Sequence, residues 1–237
     1  MRTGGLGGAF ALEARESLAR KMTSGWPRRG RKLLEIHCGD GYFLEAFWQS
    51  GFDVTGQERD PGLLEKARRR LKQAAEFTLG HEEHLPYDDG AFDYVICLNG
   101  LAFAPDPQDL LDEMFRLATA GILLAFPSAW SCHGLGQNFS PKASEKPVSP
   151  WKIYRRLRAL APEGRPRWAA NLLGPSASWR GEGILARLNR MSIPLPLGAF
   201  SLVRLDLPAA QAGNPLFIRS SRSLAREAAA NGLSRNT

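Results

Sequence analysis

Short hydrophobic segments of two kinds alternate along the first half of the chain. Runs rich in β-branched and aromatic residues predict strands, and apolar residues that recur every three or four positions predict helices. The predicted strands are 33–36, 53–58, 77–79, 92–98 and 121–126, and the predicted helices are 42–50, 61–73 and 107–117. Because the two kinds of segment follow one another in turn, the pattern predicts an α/β fold around a mostly parallel sheet.

Two of these helices begin with the same pair of residues. Asp60-Pro61 and Asp106-Pro107 each put an aspartate at the N-cap and a proline at the first helical position, where the missing N–H of proline does no harm. The fourth predicted strand, 92–98, is almost continuously apolar, which is typical of a strand buried on both faces.

The second half of the chain has a weaker pattern. The Ser, Gly and Pro-rich stretch 131–150 predicts a long loop. Its position after the fifth strand favours a mobile lid that closes the binding pocket, with a solvated linker as the alternative. Beyond it we expect a helix at 151–160, strands at 167–173 and 199–205, and an irregular connection at 174–196. We therefore expect one domain over 1–205, with a flexible N-terminus over about 1–10 and a partly disordered C-terminal extension at 206–237.

Composition sets limits on the class of protein. A chain of 237 residues that is 43% hydrophobic can bury one full-sized core, and it contains no apolar run long enough to span a membrane. The three cysteines lack CxxC spacing, so we expect reduced thiols, a cytoplasmic location and no metal site. The net charge of +7 would permit attraction to nucleic acid or other anions, but the basic clusters are small and scattered.

The segment Glu35-Ile36-His37-Cys38-Gly39-Asp40-Gly41 joins the first strand to the next helix through a tight turn. Glycine is needed where the backbone turns sharply or approaches a ligand closely. The helix that follows would direct backbone N–H groups and a positive dipole end towards an anionic group. Nucleotide and dinucleotide proteins share such turns, so this segment alone does not identify the ligand.

A second acidic residue, Glu58, ends the second strand. In Rossmann-like proteins a carboxylate at this point accepts hydrogen bonds from ribose hydroxyls. We expect Glu58 to contribute hydrogen bonds only when a ligand is bound, although an exposed structural carboxylate is the alternative. Leu44 occupies the position of the third glycine in the dinucleotide fingerprint, which argues against a nicotinamide or flavin protein.

Three stretches together resemble the class I, S-adenosylmethionine-dependent methyltransferases of the small-molecule "type 11" group. They are 33–41, 54–58 and above all Leu85-Pro86-Tyr87-Asp88-Asp89-Gly90-Ala91-Phe92-Asp93-Tyr94-Val95, and the resemblance spans about 31–126 with a looser match to 205. It implies a Rossmann-like three-layer sandwich with a seven-stranded, mostly parallel sheet. The last strand, 199–205, would be antiparallel.

The resemblance also implies the residues that bind S-adenosyl-L-methionine. Glu35, Gly39 and Gly41 would lie around the methionine part, His37 belongs to the same cofactor-binding turn, and Glu58 would bind the ribose. The other implied cofactor residues are His81, Glu82 and Asn99. The sequence departs from the family pattern at two of these positions, because His37 replaces a glycine and His81 replaces an acid that contacts adenine.

No catalytic side chain is identified with the same clarity. Methyl transfer depends chiefly on alignment and exclusion of water, and a general base is needed only for some acceptors. His133 follows the fifth strand and is the one candidate base, with a bystander loop histidine as the alternative. We expect a methyltransferase for a small-molecule acceptor; a degenerate methyltransferase-like binding module and an RNA methyltransferase are the two other hypotheses.

Overall fold

The structure is a computed structural model, and it describes residues 8–81, 85–99, 101, 107–137, 147–175, 178–179 and 183–208. Seven strands form one sheet, with helices packed on both of its faces. The strands are β1 (Lys32–Ile36), β2 (Asp53–Glu58), β3 (Ala75–Leu79), β4 (Phe92–Cys97), β5 (Ala118–Phe126), β6 (Arg167–Asn171) and β7 (Phe200–Asp206). The helices are α1 (Ala9–Met22), α2 (Tyr42–Gln49), α3 (Pro61–Leu71), α4 (Pro107–Leu117), α5 (Cys132–Gln137), α6 (Pro150–Leu160) and α7 (Ile184–Arg190).

The sheet has the strand order β3-β2-β1-β4-β5-β7-β6. The first five strands run parallel to one another, and β7 is antiparallel to both of its neighbours, β5 and β6. The predicted fold is therefore confirmed, including the antiparallel last strand. The strand order reverses between β1 and β4, and in open α/β sheets the ligand-binding crevice lies at the carboxyl ends of the strands at such a point.

The core has one hydrophobic layer on each face of the sheet. Helices α1, α2 and α3 cover one face, where Leu18, Phe43 and Phe47 are fully or almost fully buried. Helices α4 and α6 cover the other face, where Met114 and Leu157 are buried in the same way. This arrangement is the three-layer sandwich that the family resemblance implies.

Helix starts follow the predicted chemistry where the structure describes them. The side chain of Asp60 accepts hydrogen bonds from the backbone N–H groups of Gly62 and Leu63, at 2.7 and 3.1 Å, which caps α3. Pro61 occupies the first position of that helix. Asp106, the predicted cap of α4, lies outside the described residues.

The prediction of a flexible N-terminus over about 1–10 is wrong at its end. Helix α1 begins at Ala9, and its apolar stripe of Ala11, Ala14, Leu18 and Ala19 is buried against the sheet. Burial of this stripe stabilises the helix although a glycine-rich segment precedes it. Residues 1–7 lie outside the described residues.

Two irregular segments were predicted too broadly. The predicted loop 131–150 begins with the short helix α5, and Val148 forms a β-bridge with Ser128 before α6 begins at Pro150. The predicted connection 174–196 contains α7, whose residues Ala186 and Asn189 are buried. The hypothesis of a lid rests mainly on 138–146, and the extension 206–237 on 209–237, both of which lie outside the described residues. Within the described residues, no helix is long and apolar enough to cross a membrane.

Candidate cofactor-binding site

The turn between β1 and α2 needs two glycines for different reasons. Gly39 has a φ of +61° and faces open space, since a side-chain atom added there would meet only the Asn99 amide, at 3.9 Å. Gly41 has a φ of +80°, and a Cβ there would lie 2.8 Å from Leu71 and 3.1 Å from Ala67 of α3. A side chain at Gly41 would therefore separate the loop from α3, and one at Gly39 would enter the space beside the loop.

His37 adopts the left-handed backbone conformation that its position in this loop requires. Its φ is +57°, a value that L-residues with a Cβ seldom adopt. Its backbone N–H donates to the side-chain oxygen of Gln57, at 3.2 Å, and the residue is buried. The turn thus keeps the backbone geometry of the glycine that the family resemblance implies, at the cost of local strain.

Glu58 is buried at the end of β2 and already accepts three backbone hydrogen bonds. One carboxylate oxygen accepts from Gly39 at 2.8 Å, and the other accepts from Arg59 at 2.8 Å and Asp60 at 3.1 Å. The expectation that Glu58 acts only when a ligand is bound is therefore wrong, because the carboxylate also fixes the glycine loop. The oxygen that accepts from Gly39 has a second lone pair, so a ribose hydroxyl can still bind to it.

Glu35 has the most unusual environment of the predicted site residues. Its side chain is fully buried in β1, and neither carboxylate oxygen has a hydrogen-bond partner in the described structure. Burial raises the pKa of Glu35 well above its usual value of 4.5, and the nearby negative charges of Glu58 and Asp40 raise it further, against the opposing charge of Arg15. A buried carboxylate without a partner is costly unless a ligand supplies a donor.

A buried arginine that the sequence analysis missed lies beside this group. Arg15 of α1 donates to the side-chain oxygen of Asn99 at 2.6 Å and to the backbone carbonyl of Leu98 at 3.2 Å. Its guanidinium lies over the rings of Phe43 and Phe200, at 5.3 and 4.7 Å from their centroids. The signal was a single basic residue inside the apolar stripe of α1, which is detectable only once α1 is recognised as a helix.

A second arginine holds the loop from the side of α3. Arg70 donates to the backbone carbonyl and the carboxylate of Asp40, both at 3.0 Å, and to Glu45 at 3.2 Å. In the sequence this residue belongs to one of the small basic clusters. Its contacts show that it also anchors the glycine loop.

The segment 85–95, which carries the strongest family resemblance, is held by α4. Glu113 is fully buried and accepts from the backbone N–H of Leu85 at 2.8 Å. Arg116 donates to the backbone carbonyls of Leu85 and Tyr87 and to the carboxylate of Asp89. These contacts hold the backbone that leads into β4, so much of the motif has a structural role.

The remaining predicted residues are less closely connected to the loop. His81 is exposed and follows Gly80, whose N–H extends the pairing of β3 with β2 by bonding to the carbonyl of Glu58 at 3.1 Å. Glu82 lies outside the described residues. His133 lies in α5 with its ring 5.0 Å from that of Trp179, and burial lowers its pKa.

The arrangement can bind a ligand that has both positive and polar groups. Glu35 offers a buried negative charge, Glu58 offers carboxylate lone pairs beside Gly39, and Arg15 with Asn99 offers polar donors on the other side of the loop. Within the described residues, no group of three His, Cys, Asp or Glu side chains could hold a metal ion, and all three cysteines are free thiols.

Comparison with known proteins agrees with this geometry. The profile of a family described as "Methyltransferase domain" matches residues 34–126. A malonyl-[acyl-carrier protein] O-methyltransferase from Serratia marcescens is 30% identical over 161 residues, which are 66% of this chain and 62% of that protein. A ubiquinone biosynthesis O-methyltransferase from Psychrobacter arcticus is 32% identical over 98 residues, 39% of this chain and 38% of that protein. The matched regions thus span less than two thirds of the length of these relatives.

Solved structures share the fold at low sequence identity. A SAM-dependent methyltransferase from Thermotoga maritima superposes with a TM-score of 0.64 at 19% identity, over 83% of this chain and 89% of that chain. The magnesium protoporphyrin IX methyltransferase of Synechocystis with bound SAM gives a TM-score of 0.58 at 13% identity, over 84% and 80% of the two chains. Residues 34–126 therefore match a methyltransferase domain, and the sheet around them has the fold of class I methyltransferases. S-adenosylmethionine is the cofactor of that class.

Proposed function

We propose that this protein transfers a methyl group from S-adenosyl-L-methionine to a small-molecule acceptor. The observation that carries the proposal is the fully buried, unpartnered carboxylate of Glu35 in β1, the strand that leads into the glycine loop. This carboxylate lacks a hydrogen-bond donor, and the positively charged α-ammonium group of the cofactor would supply one. The residues present therefore fit the cofactor.

We assign each cofactor group to the residues that suit it chemically. Glu35 would accept from the ammonium group, and Arg15 with Asn99 would lie towards the carboxylate of the methionine part. Glu58 would accept from the ribose hydroxyls while it continues to hold Gly39. His37 and Gly41 shape the loop around the methionine part, and His81 and Glu82 stay the proposed residues for the adenine.

The protein's own contribution to the reaction is binding, orientation and exclusion of water. The cofactor supplies a methyl group that its sulfonium already activates. The chain must then align an acceptor with this group at the carboxyl edge of the sheet. His133 is the proposed base, because burial lowers its pKa and so favours the neutral imidazole that can accept a proton from the acceptor.

We propose that the accepting atom is an oxygen. Two relatives are O-methyltransferases by name, which favours oxygen as the accepting atom.

The reduced cysteines favour a cytoplasmic location, as the sequence analysis expects.

Isothermal titration with S-adenosylmethionine and S-adenosylhomocysteine tests the proposal directly. We expect both compounds to bind to the folded protein, and we expect methyl transfer from the labelled cofactor to appear in a panel of small oxygen nucleophiles. Circular dichroism on the same sample establishes that the protein is folded. If neither compound binds to folded protein, the proposal is wrong.

The second candidate function is a methyltransferase-like module without turnover, which the strained backbone at His37 favours. Such a module would bind the cofactor in the same titration but transfer no methyl group to any acceptor, RNA included. Cofactor binding combined with transfer to one acceptor excludes it.

A further inference from the structure

Large apolar side chains are exposed mainly on three segments of the chain. Among the described residues, eleven large hydrophobic side chains are exposed, and nine of these lie within 128–137, 147–155 and 183–197, where they are 40 to 86% exposed. These nine are Trp130, Leu135, Trp151, Ile184, Leu185, Leu188, Met191, Leu195 and Leu197. A cluster of exposed apolar side chains on a folded protein often marks an interaction site, whereas single exposed ones are common everywhere. We call these three segments the apolar edge.

The three segments meet at the carboxyl edge of the sheet. The first follows β5, and the third enters β7, whose Ser201 pairs with Phe126 at the end of β5. The hydroxyl of Ser128 donates to the carbonyl of Pro196 at 2.6 Å, and Ser128 also pairs with Val148. The apolar edge therefore lies on the same side of the sheet as the glycine loop that follows β1.

Helix α7 displays its apolar residues on its outer surface. The exposed residues of the helix include Ile184, Leu185 and Leu188, and Met191 directly after the helix is also exposed. Ala186 and Asn189 are buried. Asn189 holds the helix in place, because its side chain accepts from the backbone N–H of Gly174 at 2.8 Å and donates to the carbonyl of Ser178 at 3.1 Å. The exposed stripe is thus presented by an anchored helix.

The charged residues within the three segments are all basic. These segments contain no Asp or Glu, whereas Lys152, Arg155, Arg187 and Arg190 are all exposed. Lys21 of α1 adds a further cation, which donates to Ser192 at 2.6 Å, whereas Glu13 of α1 brings an acidic group to 3.9 Å from Arg190. Apolar and aromatic side chains mixed with cations are the pattern of surfaces that lie in the interface of a bilayer with anionic lipids.

We propose that the apolar edge docks on an anionic membrane surface, so that the carboxyl edge of the sheet faces the bilayer. The positive border favours a lipid surface over a second copy of this chain, because two such edges would repel each other. The consequence for catalysis rests on the proposed function: the methyl acceptor would be an amphiphile whose polar head lies at the membrane interface.

Sedimentation of the full chain with lipid vesicles tests the docking. The probes are vesicles of pure phosphatidylcholine and vesicles of phosphatidylcholine mixed with phosphatidylglycerol. We expect binding to the anionic vesicles that weakens as salt is added, and little binding to the neutral ones. The double variant Ile184→Glu, Leu188→Glu should lower the affinity by about tenfold or more. The matched control Trp48→Glu, an exposed aromatic on α2, should leave it unchanged.

Three outcomes overturn the docking. The first is no binding to anionic vesicles, and the second is equal binding by the double variant and the wild type. The third is a wild-type dimer in sedimentation velocity that the double variant converts to a monomer, which would show that a second copy covers the edge. Titration with S-adenosylmethionine on the same preparations separates the two proposals, because cofactor binding without vesicle binding contradicts only the docking.

Discussion

Glu35 has opposite effects on stability and on ligand binding. In the free protein its carboxyl group has no hydrogen-bond partner and lies near two other carboxylates, so its charged form is unfavourable. In the proposed complex the same charge would meet the ammonium group of the cofactor. A residue that weakens the fold and strengthens binding is typical of a functional site.

We therefore expect Glu35→Gln to weaken cofactor binding and to stabilise the free protein. The pKa of Glu35 is raised in the folded state, so its contribution to stability is present below the unfolded value of about 4.5 and is lost as the pH rises towards the folded value. The advantage of the variant over the wild type should thus grow from about pH 4.5 upwards. Urea unfolding at several pH values measures it, and a parallel pH dependence in both proteins would contradict the assignment.

A second expectation at this scale concerns the backbone strain at His37. Its φ of +57° is strained for any residue with a Cβ and unstrained for glycine. His37→Gly and His37→Ala both remove the imidazole, so their difference isolates the backbone. We expect the glycine variant to be more stable than the alanine variant by about 1 kcal/mol, measured by denaturant unfolding. Equal stabilities would mean that the loop relaxes in the variants.

The positions of the site residues could largely be predicted from where the strands end. Glu35, Gly39, Glu58 and Asn99 were expected near one edge of the sheet. The structure places Glu58 and Asn99 beside Gly39 there, and Glu35 lies near Glu58. Hydrogen-bond partners could not be predicted, because they depend on distances between segments that only the folded chain sets. For that reason Glu58 was expected to make no hydrogen bonds without a ligand, whereas it accepts a hydrogen bond from the glycine loop.

At the scale of elements, the strands were easier to predict than the ends of the chain. Buried parallel strands such as β1 and β4 are rich in apolar residues, and their predicted bounds agree with the structure to within one residue. Helix α1 was missed because its stripe consists largely of alanines, whose periodicity is weak. Helices α5 and α7 were missed because both are short and depend on tertiary contacts, such as those of Asn189.

Helix α1 nevertheless supplies the arginine that we place beside the cofactor. We expect Arg15→Gln to weaken binding of S-adenosylmethionine by about 1.5–3 kcal/mol, since a charge-assisted interaction is lost. The matched control is Arg20→Gln on the same helix, where Arg20 contacts Glu16 and Ser50 away from the loop. Calorimetry at a temperature where all variants are folded provides the comparison. Similar affinities of the two variants would remove Arg15 from the site.

At the scale of the whole molecule, the site depends on contacts between segments that are distant in the sequence. Glu58 joins the end of β2 to the loop after β1, and Arg15 joins α1 to the end of β4. Arg70 joins α3 to the same loop. A ligand held by this set should therefore stabilise all of these segments together, although they are separated by up to 84 positions in the chain.

Hydrogen exchange can test this coupling. At about a hundredfold excess of S-adenosylmethionine over its dissociation constant, the folded state gains about 2.7 kcal/mol. We expect the slowing of exchange beyond this global effect to concentrate in α1, the loop 37–41 and the turn 58–60, because these hydrogen-bond to one another or to groups that face the ligand. Segment 183–197, on the apolar edge, is the internal control and should change least. Protection of 37–41 and 58–60 without protection of α1 would show that the cofactor is held by the strand ends alone, and it would contradict the role of Arg15.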